Sequence, residues 1–501
     1  MSRVKLNASA NVLGVVYTSV VSLVVLPLYL SYLGAEAYGL VGIFTLMQAW
    51  MQVLDLGLSP TLARQVAVAR GKEGGFKEFI TVLRNFEIIF FAISVCVVIL
   101  IAAYSNWISE SWINATVLNS EILSYCISIM GLLLGLRLFS SLYRSGLNGI
   151  EDQVRLNVIG AIVVSFKFFG ALLLLAFFSN DIEHFFEYQL IIGLFEVVIL
   201  MSRFYAVAPI KNLGYGLRFN MSSMQTIMPF ASSVAYSAAI WILITQVDKL
   251  ILSSVLTLAE FGYFSIVVLI AGAILALTAP IMQAVLPRMT ALFSKGELIE
   301  MYLLYRKSSQ IVAVLAVPIT IIIALYSKQI LFAWTGEQEL AIWGAQTLSW
   351  FVMGYGLLAL SAFQYYLQNA FGDLRLHVIG STISAIVQIP LIYYAAINFG
   401  AEGVGITWFA IRLVWFLWWM PIVHHKFMPG EHLSWLFRDI LPIIIIASIS
   451  VLIMNYLVPL GEASGRIQIL LSLAAVSFVA LSASALAVTE LKSLITAKIK
   501  K

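Results

Sequence analysis

Apolar stretches long enough to cross a lipid bilayer recur along this chain from near its first residue to near its last. The hydrocarbon core of a bilayer is about 30 Å thick, which an α-helix of about 20 apolar residues spans. Charged residues make up 11% of the 501-residue chain, whereas about 25% is usual in soluble domains. The pattern therefore predicts an all-α polytopic membrane protein with about 14 transmembrane helices. We place these helices near 9–33, 37–58, 79–104, 120–148, 154–178, 184–208, 226–255, 260–286, 304–332, 340–368, 375–398, 403–424, 439–459 and 467–488.

Basic residues concentrate in alternate loops between these helices. One set of loops is rich in Lys and Arg, as in "ARQVAVARGKEGGFK", and the intervening loops are short and mostly acidic. All but six of the 29 Lys and Arg residues fall on the basic side, and three of those six, Lys249, Lys328 and Arg466, fall on the other side. Because basic loops stay in the cytoplasm, we predict a multi-pass protein of the cell (inner) membrane with both termini in the cytoplasm.

Two helical turns resemble each other and suggest a repeat. "YLGAEAYGLVGIF" (Tyr32–Phe44) follows the first helix, and "VLTLAEFGYFSIV" (Val255–Val267) follows the seventh. The alternative is that two helical hairpins share turn chemistry by chance. A true repeat predicts two pseudo-symmetric six-helix bundles around a central cavity. We therefore divide the chain into an N-terminal lobe, 1–212, a C-terminal lobe, 213–430, and two additional helices with a basic cytoplasmic tail, 431–501.

Positively charged side chains within apolar runs are the first candidates for a functional site. Arg137 and Lys167 both lie in such runs, and charges inside a membrane normally face a bundle interior or an aqueous cavity. Arg144 lies seven residues after Arg137, on the same helix face. Arg155 and Lys167, on the next predicted helix, are twelve residues apart and so lie about 120° from each other around the helix. We predict that Arg137, Lys167, Arg144 and Arg155 bind an anionic substrate, although the positive-inside rule already explains Arg155 as a residue at the cytoplasmic mouth. An ion pair with Glu196, or snorkelling of Arg137 and Lys167 toward the surface, remains the alternative.

Six further residues are weaker candidates. Arg412 lies among tryptophans that suit cation–π contact or sugar stacking, although ordinary interface aromatics explain the tryptophans equally well. Asp55 and Glu196 are candidates for ion coupling, with a turn-stabilising role as the alternative for Asp55 in "DLGLSP". Asp248 and Lys249 are candidates for a gate, and Pro27 is a candidate hinge, with a static kink as its alternative.

Several classes of protein are disfavoured. Cys96 and Cys126 lie in apolar runs without a CxxC pair, and the histidines lack metal-ligand spacing, so we predict no metal, cofactor or catalytic residue. Nucleic acid is not an expected partner. The predicted outer loops are too short for a polysaccharide polymerase or ligase, so we predict that the chain is not an enzyme.

Three stretches resemble the polysaccharide (Wzx-type) flippases of the multidrug/oligosaccharidyl-lipid/polysaccharide (MOP) exporter superfamily. They are "NVLGVVYTSVVSLVVLPLYLSYLGAEAYGLVGIF", "LDLGLSPTLARQVAVARGKE" and "TQVDKLILSSVLTLAEFGYFSIV". The resemblance implies alternating-access transport of an oligosaccharide joined by pyrophosphate to a polyprenyl lipid, such as an O-antigen or exopolysaccharide repeat unit, from the inner to the outer leaflet. Membrane lipid and other polysaccharide-assembly membrane proteins are the further partners implied.

The number and the charges of the helices bear on the cargo. Many polysaccharide flippases have twelve helices, and the two additional ones here resemble the lipid II flippases, which leaves a lipid II-type cargo open. A multidrug cation antiporter of the same superfamily would favour carboxylates in its cavity, whereas Arg137, Lys167 and Arg412 outnumber Glu196 in the apolar runs. This balance favours an anionic cargo.

Overall fold

The computed structural model describes residues 3–73, 75–208, 221–458 and 465–488, and these ranges are almost entirely helical. Within these ranges, four short π-helical turns interrupt the α-helices: Ile108–Trp112, Phe166–Gly170, Trp415–Trp419 and Trp435–Ile440. The α-helices are α1 (Arg3–Leu33), α2 (Ala35–Leu54), α3 (Leu58–Arg70), α4 (Gly75–Trp107), α5 (Ser120–Ile150), α6 (Gln153–Ser165), α7 (Ala171–Phe177), α8 (Ile182–Val207), α9 (Met221–Val255), α10 (Leu258–Ser294), α11 (Leu298–Leu325), α12 (Ser327–Thr335), α13 (Gln338–Ser361), α14 (Phe363–Phe371), α15 (Arg375–Val414), α16 (Met420–Phe427), α17 (His432–Ser434), α18 (Leu441–Leu457) and α19 (Arg466–Ala487).

The described residues contain thirteen helical segments long and apolar enough to cross a membrane. One of them, Arg375–Phe427, has 53 residues and is about twice as long as one crossing needs. Its backbone breaks at Gly400, where φ is 59° and ψ is −149°, so it consists of two arms that are each long enough to span. The prediction of an all-α polytopic protein with about 14 transmembrane helices is confirmed.

Helix α3 was not among the predicted helices. It follows a tight turn in which Leu56 and Gly57 have positive φ, and a Cβ on Gly57 would lie 2.4 Å from the carbonyl oxygen of Ala231. Leu62 and Val66, one turn apart, are fully buried. A 13-residue helix with one apolar face escapes a window sized for membrane spans, because its polar face lowers the average hydropathy.

The chain forms two compact units, residues 1–262 and residues 263–501. In the first unit, α3, α4, α5 and α8 pack around a core that includes Leu62, Phe86, Leu142 and Phe204. In the second, α18 and α19 pack against α11, and α19 also packs against α12. The division by contacts falls after Gly262, beyond the predicted lobe boundary at 212. The predicted three-part organisation of the sequence stays a prediction.

Within the first unit, the beginnings of α2 and α10 cross at close range. A Cβ on Gly39 would lie 2.1 Å from the carbonyl oxygen of Leu258, and a Cβ on Gly262 would lie 2.7 Å from that of Ala35. When the two similar turns are aligned from Tyr32 and Val255, Gly39 corresponds to Gly262 and Ala35 to Leu258. The crossing is therefore reciprocal: Gly39 meets Leu258, and its counterpart Gly262 meets Ala35, the counterpart of Leu258.

Candidate functional site

One face of α5 carries a row of polar side chains. Arg137, Ser141 and Arg144 follow each other at intervals of four and three residues, which places them on one side of the helix. Arg137 donates a hydrogen bond to the Oε1 atom of Gln48 on α2, at 2.8 Å. The Ser141 hydroxyl lies 3.2 Å from that of Ser59 on α3. The row thus meets two neighbouring helices of the first unit.

Glu196 of α8 joins two of the predicted cations. Its Oε1 atom lies 2.8 Å from Nη2 of Arg144, and its Oε2 atom lies 2.6 Å from Nζ of Lys167. The Glu196 side chain is 11% exposed, against 40% for Arg144 and 23% for Lys167. The alternative of an ion pair with Glu196 thus describes Lys167 in this structure, whereas Arg137 has Gln48 as its hydrogen-bond partner.

The cluster of Arg137, Arg144, Lys167 and Glu196 carries more positive than negative charge. Arg144 and Lys167 share the one carboxylate, and Arg137 donates to the neutral Gln48 side chain, so three cations and one carboxylate leave an excess of two positive charges. Uncompensated charge is costly at membrane depth. An arrangement of this kind can hold an additional anion, because arginine side chains donate paired hydrogen bonds to phosphate and carboxylate groups.

A π-helical turn holds Lys167 in place. The wide turn at Phe166–Gly170 frees backbone carbonyl groups from the usual helical pattern, and side chains satisfy them. Tyr29 of α1 donates to the carbonyls of residues 167 and 168, at 3.1 and 2.9 Å. Gln189 of α8 also donates to the Lys167 carbonyl, and Tyr188 donates to that of residue 166, each at 2.9 Å. Lys167 is therefore fixed by both α1 and α8.

The predicted hinge lies close to this contact. Pro27 is within α1, two residues before Tyr29, and the helix continues through it. Proline removes one backbone hydrogen bond at that point. Bending at Pro27 stays a prediction.

Asp55 lies in the turn between α2 and α3. Its carboxylate accepts hydrogen bonds from the hydroxyl of Ser59, at 2.5 Å, and from the backbone N–H of Ser59, at 3.2 Å. This is the geometry of a side chain that stabilises a turn. Ion coupling by Asp55 stays a prediction.

The predicted gate pair lies on α9. Lys249 donates to the side-chain oxygen of Gln246, at 2.7 Å, and to the carbonyl of Thr245, at 3.2 Å. Asp248 is fully buried. The contacts of Lys249 are thus local to its own helix, and a gating role for the two residues stays a prediction.

Arg412 belongs to the second unit and is buried. It donates to the side-chain oxygen of Gln388 at 2.8 Å, and its guanidinium carbon lies 4.2 Å from the centre of the Trp408 ring. The expected cation–π contact is present. A role for Arg412 in substrate binding stays a prediction.

Arg155, the remaining predicted substrate ligand, is exposed near the beginning of α6. It lines an open groove with residues of α8. It is not among the residues that contact Glu196.

Sequence reasoning missed a second charged cluster in the first unit. Arg84 and Glu87 of α4 are both buried and form an ion pair. Arg84 also donates to the hydroxyl of Tyr205, at 2.8 Å, and Tyr143 donates to Glu87, at 3.3 Å. The available signal was an arginine and a glutamate three residues apart in "VLRNFEII", a spacing that brings side chains together on a helix.

A third cluster, in the second unit, was also missed. Arg306 of α11 donates to both oxygens of Asp439, at 2.5 and 3.1 Å, and to Glu431, at 3.0 Å. Beside it, His424 is hydrogen-bonded to the hydroxyl of Tyr305, at 2.7 Å. These partners lie more than 100 residues apart in sequence. Across the described ranges, no group of three or more His, Cys, Asp or Glu side chains is placed to hold a metal ion.

Sequence comparison connects the chain with polysaccharide export. The model of the polysaccharide biosynthesis protein family matches residues 4–293, more than half of the chain. The chain is also similar to a Shigella flexneri protein named "Putative O-antigen transporter", with 21% identity over 424 residues, which cover 83% of this chain and 96% of that protein. The resemblance to polysaccharide exporters that the sequence analysis identified is confirmed.

Solved structures show the same fold. The structure of the lipid II flippase MurJ in an inward closed conformation matches with a TM-score of 0.73 at 13% identity, covering 99% of this chain and 100% of that one. An inward-facing multidrug resistance MATE family transporter of the MOP superfamily matches with a TM-score of 0.68 at 13% identity, covering 81% of this chain and 96% of that one. At this level of identity, the likeness establishes the fold.

Proposed function

The chain belongs to the polysaccharide biosynthesis protein family, and from this premise we propose that it transports a polyprenyl-pyrophosphate-linked oligosaccharide, an O-antigen or exopolysaccharide repeat unit, across the membrane. The observation that carries this proposal is the excess of cations around Glu196. Pyrophosphate carries at least two negative charges and needs positive partners once it leaves water. Arg137, Arg144 and Lys167 supply them.

Glu196 has a specific part in this proposal. While the site is free of cargo, its carboxylate holds Arg144 and Lys167 and offsets part of their charge. An arriving pyrophosphate competes for the same two cations and also engages Arg137. Exchange of one anion for another keeps the site compensated throughout, so that neither the loaded nor the empty state leaves the cations bare.

The direct test is the amount of surface polysaccharide in single variants at matched protein level. We expect Arg137→Ala and Lys167→Ala to lose most export, and Arg137→Lys to retain part of it, because the charge survives while the paired hydrogen bonds are lost. Gln48→Leu is the matched control for Arg137, since it removes the neutral partner and keeps the cation. Export as low in Gln48→Leu as in Arg137→Ala would contradict the proposal and indicate a structural contact.

A double variant separates cargo binding from a purely structural ion pair. If Lys167 serves only to neutralise Glu196, then Lys167→Ala combined with Glu196→Gln should recover export. We expect no recovery, because the cargo still lacks its cation. The same strains should be assayed for peptidoglycan precursor export, since a defect there with normal surface polysaccharide would identify a lipid II-type cargo instead.

Orientation and mechanism complete the proposal. We place the protein in the inner membrane with both termini in the cytoplasm, so reporter fusions after residues 72 and 296 should report cytoplasm and those after 115 and 336 periplasm. Transport proceeds by alternating access.

A further inference from the structure

An open groove of about 490 Å³ lies between the beginning of α6 and the end of α8 in the first unit. Six residues line it: Arg155, Val158, Ile159, Ile199, Ser202 and Arg203. Both helices belong to candidate membrane spans, and their ends here adjoin loops that the charge pattern assigns to the cytoplasm. The groove therefore lies where a bilayer places its headgroups.

The groove carries one uncompensated positive charge. Arg203 is held by Asp152, with Nε and Nη2 at 2.7 and 2.6 Å from the same carboxylate oxygen. Arg155 is exposed and, within the described part of the chain, makes no hydrogen bond or ion pair. Two arginines and one aspartate leave a single charge, which is free to meet an anion.

The wall of the groove is apolar and continues along both helices. Val158 is 54% exposed and Ile199 is partly exposed. Farther along the same helices, Ile162 of α6 and Val198 of α8 are also exposed. The surface thus has a cation and the Ser202 hydroxyl at one end and hydrocarbon below, which matches the two parts of a phospholipid.

We propose that this groove binds one anionic phospholipid of the membrane, with its phosphate on Arg155. A phosphodiester carries one negative charge and so matches the single uncompensated guanidinium, whereas a pyrophosphate would remain partly uncompensated. Arg155 was predicted to bind the cargo, and its place in this groove leads to a different ligand. The lipid site is independent of the transport activity proposed above.

The test uses the accessibility of a cysteine in the groove. Val158→Cys is introduced in a Cys96→Ala background, because Cys96 is exposed whereas Cys126 is buried. The purified full chain is reconstituted in vesicles of phosphatidylcholine alone or of equal parts phosphatidylcholine and phosphatidylglycerol, and its reaction with an uncharged maleimide is timed. We expect the anionic lipid to slow the reaction about fivefold, the factor that one basic residue contributes near an anionic surface.

The variants decide whether Arg155 is responsible. Arg155→Gln should abolish the slowing, and Arg155→Lys should keep part of it. The matched control is Arg375→Gln, which removes an exposed arginine at the beginning of α15 and should leave the slowing unchanged. Equal reaction rates in the two kinds of vesicle, or slowing that survives Arg155→Gln, would overturn the proposal.

Two further arms identify the source of the phosphate. In phosphatidylcholine vesicles, polyprenyl pyrophosphate or inorganic phosphate is added in place of phosphatidylglycerol. We expect neither to protect the cysteine. Protection by polyprenyl pyrophosphate would make the groove a cargo site, and protection by inorganic phosphate would make it a site for soluble anions. Either result would overturn the assignment to a membrane phospholipid.

Discussion

The charged clusters of the two units are opposite in composition. In the first unit, Glu196 is a single carboxylate shared by Arg144 and Lys167. In the second, Arg306 is a single cation shared by Asp439 and Glu431. The first cluster has excess positive charge that can compensate another anion, whereas the second has two carboxylates for one cation and therefore excess negative charge.

This difference separates a site that can bind from a contact that holds helices together. Loss of one cation from the Glu196 cluster leaves the carboxylate with a partner. Loss of Arg306 leaves two carboxylates without their cation, one of them on an Asp439 side chain only 5% exposed. The first cluster is therefore expected to matter for transport, and the second for stability.

The largest expected effect is that of Arg306→Met on stability. Breaking a buried ion pair by removing one partner costs about 3–5 kcal/mol, and Arg306 joins α11 to the segment before α18. The free energy of unfolding in detergent should fall by that amount, while Lys295→Met, a change of an exposed lysine, should have little effect. Unchanged stability of Arg306→Met would remove the distinction between the clusters.

Glu196→Gln should have a smaller effect on stability, about 1–3 kcal/mol, because Arg144 and Lys167 lose the negative charge that compensates them. Arg144 is 40% exposed, so water compensates part of its charge and the lower end of that range is expected. The same unfolding measurement applies. A loss as large as that of Arg306→Met would mean that both clusters are structural.

Tyr29→Phe should loosen the π-helical turn and cost about 1 kcal/mol, the usual contribution of a hydrogen bond. Amide hydrogen exchange of residues 166–171 should accelerate, because Tyr29 no longer holds the carbonyls of this turn. Tyr17→Phe is the matched control. It removes a hydroxyl contact of 2.6 Å from α1 to the Ser165 side chain at the end of α6, without touching those carbonyls. Equal exchange in both variants would contradict the role of Tyr29.

The smallest effect is expected at the surface of the second unit. A hydrogen bond from Lys426, at 2.6 Å, lowers the pKa of the Asp373 carboxyl, as does the backbone N–H of Arg375. A carboxyl whose pKa is lowered in the folded state stabilises the folded protein at pH values above its unfolded-state pKa, about 3.9 for aspartate. This contribution is lost as the pH falls through the folded-state pKa. Asp373→Asn should thus lower the melting temperature slightly near neutral pH and not at all below both values. A large change would mean that exposed pairs matter as much as buried ones.

Sequence reasoning was sufficient where the signal is local. Hydropathy located the spans, and it separated the two arms on either side of Gly400 because "NFGAEG" interrupts the apolar run. As the alternative to substrate binding, sequence reasoning named Glu196 as an ion-pair partner of Arg137 and Lys167. Lys167 makes that pair in the structure, whereas Arg137 donates to Gln48. Sequence reasoning did not find Arg144 as the second partner of Glu196.

The rest depends on how distant segments pack. Arg306 and Asp439 are 133 residues apart, and no periodicity connects them. The π-helical turn at Lys167 likewise depends on hydroxyl and amide groups supplied by α1 and α8. Its own sequence, "FKFFG", reads as ordinary helix. Side-chain contacts across helices set both features.

The crossing of α2 and α10 has the form of a two-fold dimer contact within one chain. In a symmetric dimer, if residue i of one subunit contacts residue j of the other, then residue j of the first subunit also contacts residue i of the second. The contacts of Gly39 with Leu258 and of Gly262 with Ala35 have this reciprocal form. A methyl group at either glycine would push the same two helices apart. The two positions therefore form one steric constraint, and sequences descended from this chain are expected to keep both glycines or to replace both together.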